Sequence, residues 1–125
     1  MTLYRGMKRN GSLPATGVRQ GLHIRPGVDV PALEDSDLVE PGDGGLSTTP
    51  DEPLLLPNFS RPESLGGTSK HPVWSIERGE LPAHRLASRW DNKKHETVMP
   101  RESMTLGEFE SHIHSTAAEW ELAYE

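Results

Sequence analysis

The clearest hydrophobic period in the chain lies near its C-terminus. Leu106, Phe109, Ile113, Ala117 and Trp120 recur at helical spacing and predict a helix with one buried stripe. Thr105 is placed to cap it, and Glu108, three residues on, can reach back to the cap amide, which completes a capping box. Elsewhere the period is two. Val73-Trp74-Ser75-Ile76 reads as a strand with Val73 and Ser75 on one face and Trp74 and Ile76 on the other, and His95 to Met99 reads as a further strand stopped by Pro100. Leu3-Tyr4 predicts a short first strand, with turns following at Gly6 and Asn10-Gly11. Leu22, Ile24, Val28 and Val30 alternate around Pro26-Gly27 and fit two short strands. The triplet Leu54-Leu55-Leu56 is expected to bury, and residues 34–45 and 77–92 read as polar connections.

Composition turns these elements into a class. The 125 residues include 12 glycines and 11 prolines, and only 33% are hydrophobic, so long helices are disfavoured over most of the chain. The expectation is one domain spanning residues 1–125, of α+β class, with loop-rich connections around a β core and a C-terminal amphipathic helix. The absence of cysteine excludes disulfides, thiolate catalysis and cysteine-ligated zinc. No run resembles a signal peptide or a membrane span, so a soluble, cytoplasmic protein is expected. Delivery into another cell would then use a route that reads no N-terminal signal.

The net charge of −6 argues against general nucleic-acid binding. Its distribution says more. Residues 1–28 carry Arg5, Lys8, Arg9, Arg19 and Arg25 and no carboxylate, whereas 29–63 is rich in Asp and Glu with Arg61 as its one base. Two solvated surfaces of opposite sign would account for this asymmetry. So would a basic N-terminal lobe that takes the phosphates of a small anionic ligand.

Four stretches carry candidate chemistry. Arg5 follows the first strand, and a guanidinium fork suits a phosphate or a ribose diol. Gly66-Gly67-Thr68-Ser69 combines close backbone approach with two hydroxyls, as does Gly44-Gly45-Leu46-Ser47-Thr48-Thr49, and the residues alone do not rank the two. His95 shares a strand face with Thr97 and can hydrogen-bond a ribose hydroxyl, while Glu96 points the other way. His112 and His114 sit two apart on the predicted helix and cannot share one ion, so no metal site is expected.

Taken in order, Thr2-Leu3-Tyr4-Arg5, Gly66-Gly67-Thr68-Ser69, His95-Glu96-Thr97-Val98-Met99-Pro100 and a helix ending near Trp120 resemble the small type VI secretion effector toxins with an ADP-ribosyltransferase-like fold. The likeness covers about a third of the chain but runs from one end to the other. It implies a split β-sheet core gripping NAD, in a toxin that transfers ADP-ribose to an unknown cytosolic target or cleaves NAD. An immunity or antitoxin partner is implied with it. By the same resemblance Arg5, Gly66, Gly67, Thr68 and Ser69 would contact NAD, and Thr68, Ser69 and His95 would stand at the reaction centre. The Gln-x-Glu or Glu-x-Glu turn of the wider superfamily has no counterpart here, although Glu96 and Glu102 lie near its place. A non-enzymatic interaction protein that offers the acidic 29–63 surface to a basic partner is the alternative. An enzyme acting on RNA 2′-phosphate is disfavoured by the acidic balance.

Overall fold

Strand Thr2–Gly6 (β1) is the hub of the architecture, because it lies at the centre of a six-stranded antiparallel sheet. The computed structural model describes all residues from Met1 to Glu125. After β1 come β2 (Arg9–Asn10), β3 (Leu13–Pro14), β4 (Leu38–Val39), β5 (Leu46–Pro50), β6 (Val73–Glu77), β7 (Leu86–Asn92), β8 (His95–Pro100) and β9 (Met104–Thr105). Helix α1 (Leu106–Ser115) and strand β10 (Glu121–Tyr124) complete the chain, and short 3₁₀ turns fill the stretches between Pro53 and Leu65 and between Arg78 and His84. The main sheet has the order β10-β6-β1-β5-β8-β7, and β2–β3 and β4–β9 form two small antiparallel pairs. The result is an α+β domain.

One sheet face is apolar, and α1 belongs to the same core. Leu3, Leu46, Trp74, Ile76, Leu86 and Val98 are essentially fully buried and cluster with Leu106, Phe109, Ile113 and Trp120. This is the expected result of period-two strands meeting one helical stripe. Thr105 accepts from the Glu108 amide at 3.1 Å, and Glu108 accepts from the Thr105 amide at 3.0 Å, so the capping box forms as read from the sequence. Past residue 115 the helix tightens into a 3₁₀ turn, Thr116–Glu119, and Trp120 turns out into the edge strand β10. Asn10-Gly11 makes the β2–β3 turn, with Gly11 at φ 65°.

Several elements depart from the sequence pattern. Residues 17–31 form no strands, only isolated bridges at Thr16–Leu22 and Pro26–Val30, because Val28 points to solvent while Leu22, Ile24 and Val30 anchor an irregular loop. Of the triplet, Leu56 is buried and Leu54 is not. The polar connection 77–92 contains the seven-residue strand β7. Gly44 to Thr49, read as a glycine-led hydroxyl stretch for a ligand, supplies most of β5. Its Leu46 pairs with Val98 and Thr48 with Glu96, and its β-branched threonines suit an extended backbone.

Candidate functional site

The sheet is weakest at its centre. β1 and β5 are joined by the pairs Leu3–Pro50 and Tyr4–Thr49 alone, and past these the strands part. Arg5 and Gly6 on one side, and Ser47 and Thr48 on the other, line a cleft of about 610 Å³ at this parting. The loop carrying Arg19, Gln20 and Arg25 and the segment from Leu56 to Ser60 form further walls, and Ser69, His71, Lys94 and His95 complete the lining.

Arg5 holds the opening in shape. It alternates with Leu3 and stands opposite Trp74, so the backbone sends it toward the apolar face. Its fork instead spans the gap, with Nη1 donating to the Ser47 carbonyl at 2.8 Å and Nη2 to the Gly21 carbonyl at 3.0 Å. Nε is buried with no partner. Burial pulls the guanidinium down to about 10, with Asp29 opposing and Arg25 adding to the fall, so it stays charged at neutral pH.

The charge of the lining is one-sided. Arg5, Arg19, Arg25 and Lys94 contribute to it, with His71 and His95, and no Asp or Glu does. A cleft walled by one sign of charge concentrates ligands of the other. Arg25 is steadied by Asp29, which accepts from its Nε at 3.1 Å and its Nη2 at 3.2 Å, and these bonds hold the guanidinium above its ordinary range. Phe59, 76% exposed, adds an aromatic ring at the rim.

His95 is the middle link of a chain of hydrogen bonds. Its Nδ1 lies 2.7 Å from Asp91 Oδ2, and its Nε2 lies 3.1 Å from Ser47 Oγ. A bulge between Trp90 and Asn92 in the β7–β8 ladder sets Asp91 out of register and lets its carboxylate reach back to His95. Desolvation alone would raise the Asp91 pKa. Hydrogen bonds from Thr97, Arg89 and His95 outweigh it and hold the carboxyl at about 2. Among the hydroxyls of β5, Thr48 donates to the Glu96 carbonyl and Thr49 to the Lys94 carbonyl, both tying down β8. Ser47 is the one left facing the cleft.

The residues singled out from the sequence thus divide. Arg5, Ser69 and His95, far apart in the chain, line the same cleft, whereas Gly66, Gly67 and Thr68 do not. Gly66 ends a 3₁₀ turn at φ 73°. The close approach that Gly67 permits is to the protein itself, since a Cβ there would stand 2.1 Å from the Arg61 carbonyl. Thr68 is exposed, and its amide donates to the Asn58 carbonyl. Ser69 accepts from the His71 amide at 3.0 Å. Glu96 lies on the other face of β8, 1% exposed, where Arg78 donates to both its oxygens at 2.6 Å and Ser88 donates a third bond. Sequence reasoning missed Asp91, Lys94 and Phe59, whereas Arg19 and Arg25 entered it as members of the basic N-terminal lobe.

No family model, curated protein or solved structure matches the chain. No helix is long and apolar enough to cross a membrane.

Proposed function

We propose that the chain is an ADP-ribosyltransferase-like toxin domain that binds NAD in the cleft between β1 and β5. The observation that carries this reading is the convergence of Arg5, Ser69 and His95 on a cleft lined by four Arg and Lys side chains and no carboxylate. The parting of one sheet into two halves, joined by two residue pairs, supports the split-sheet architecture that the sequence resemblance implies.

The residues fit the ligand. A pyrophosphate needs cationic donors, which Arg19, Arg25 and Lys94 supply in the lining. A cleft of about 610 Å³ is within the usual range for small-molecule sites, and Phe59 offers a face for a flat heterocycle. NAD brings a glycosidic bond to a cationic leaving group, nicotinamide. Arg5 bridges the two half-sheets at the parting, His95 and Ser47 present a polar edge for a ribose, and Ser69 adds a further hydroxyl to the lining. By the same resemblance the domain acts on a cytosolic target and is met by an immunity or antitoxin protein.

A second reading rests on one observation, that no carboxylate faces the cleft to balance positive charge developing at a breaking glycosidic bond. In that reading the fold is an interaction module. Glu34, Asp35, Asp37, Glu40 and Asp43 form an exposed acidic surface for a basic partner.

Isothermal calorimetry with NAD separates the two. The first reading expects saturable heat and a thermal shift that grows with NAD concentration. No heat and no shift at millimolar NAD, together with a partner whose binding fades with salt, would establish the second.

A further inference from the structure

Two Ser-His-carboxylate chains occur in this fold, and they differ in where the serine proton goes. Near α1, His84 Nδ1 lies 2.7 Å from Ser115 Oγ and His84 Nε2 lies 3.3 Å from Glu119. Ser115, however, donates its one proton to the His112 carbonyl at 2.6 Å. Its oxygen can only accept from His84, so the group is a tie between a 3₁₀ turn and the helix end.

In the cleft the polarity is reversed. The ionised Asp91 carboxylate can only accept, so His95 Nδ1 carries the proton between them. In the neutral imidazole Nε2 is then an acceptor, and Ser47 Oγ must donate to it. The Ser47 hydroxyl makes no hydrogen bond other than this one, and Ser47 is exposed at the cleft wall. Asp91 is itself fixed by Thr97 at 2.6 Å and Arg89 at 2.7 Å, which leaves the imidazole little freedom to turn.

We propose that Ser47 is an activated nucleophile in the cleft, with His95 as its base and Asp91 as the positioning residue. Resting on the dinucleotide reading, Ser47 is the acceptor of the ADP-ribosyl group. Ser47 Oγ attacks C1′ of the nicotinamide ribose as its proton passes to His95 Nε2, and the C1′–N bond breaks with its electron pair leaving on nicotinamide. The products are ADP-ribosyl-Ser47, nicotinamide and a proton on His95. This answers the missing cleft carboxylate, because the negative charge opposing the developing cation comes from the nucleophile. It also gives Ser47, Asp91 and the β7 bulge a purpose that binding alone does not require.

The test uses the full chain in two arms, with modified residues located by peptide mass spectrometry. One arm adds a fluorophosphonate, which reports serine nucleophilicity without NAD as the Oγ–P bond forms and fluoride leaves. The other adds NAD. Ser47 is expected to carry the adduct in both arms, with Ser115 unmodified as an internal comparison. Adduct formation is expected to be about 100-fold slower in His95→Gln and in Asp91→Asn, while calorimetric affinity for NAD holds in Asp91→Asn. Mapping the unsubstituted chain needs no variant to fold, and melting curves check those that are made. Consumption of NAD with Ser47 unmodified by either reagent overturns the proposal and leaves the dinucleotide reading standing. Equal labelling in His95→Gln overturns the relay. Phosphonate labelling of Ser47 without NAD binding upholds the nucleophile and removes NAD as its substrate.

Discussion

Arg5 donates to the Ser47 carbonyl across 2.8 Å at the point where the β1–β5 ladder has ended, so one side chain replaces the missing rungs between two half-sheets. The same guanidinium satisfies the Gly21 carbonyl and so ties the basic loop to the sheet. Replacing Arg5 with Met leaves two carbonyls without their donor and is expected to destabilise the domain by about 2–3 kcal/mol. Urea unfolding measures this. Lys at the same position keeps a charge but lacks the fork, and should recover part of the loss.

The cleft cations Arg19 and Lys94 are exposed and bond to no other side chain. Each Ala replacement should weaken NAD binding by about 1 kcal/mol, roughly fivefold, and leave the melting temperature nearly unchanged. Calorimetry at two salt concentrations checks this, because the loss should shrink as salt rises.

Glu96 and Arg78 form a bidentate pair with the carboxylate 1% exposed and the guanidinium 30% exposed. Burial pushes the Glu96 carboxyl up, but the bonds from Arg78 and Ser88 prevail and hold it below its ordinary range. Arg78→Ala should cost about 3–5 kcal/mol by stranding a buried charge, and an apolar replacement of both residues should restore much of it. Comparing the single and double variants by denaturant titration tests the coupling.

Asp91, with its pKa near 2 rather than the ordinary 3.8, makes stability depend on pH in the acid range. A depressed carboxylate contributes in full above the unfolded value and loses its contribution as pH falls from about 4 toward 2. The effect is on the order of 1 kcal/mol, because the side chain is partly exposed and screened. Melting curves from pH 5 to pH 2 should therefore fall less steeply in Asp91→Asn than in the parent chain.

Gly67 has no room for a side chain, since a Cβ would stand 2.1 Å from the Arg61 carbonyl and 2.5 Å from its Cβ. Gly67→Ala should destabilise by roughly 1–3 kcal/mol while NAD affinity, measured on the folded fraction, stays unchanged. A ligand-contacting glycine would show the opposite split.

What the residues determined unaided was mostly local or periodic. The stripe from Leu106 to Trp120 and the Thr105–Glu108 box specify a capped helix whatever surrounds it, because their partners lie three or four positions away. The Val73–Ile76 alternation specifies a strand for the same reason, although Val73 on the face opposite Trp74 is buried as well. Strand β7 was invisible because Ser88 to Asn92 has no apolar alternation, and its ladder with β8 alone makes it a strand. The turn signal of Gly44-Gly45 hid β5, which tertiary pairing placed beside the centre of the sheet. The cleft was legible as a list of residue types, yet Ser69 entered it while Thr68, its neighbour, did not. Only register, a bulge and a parted ladder decide which hydroxyl meets which imidazole, and these are set by pairings across 48 residues that no local spacing encodes.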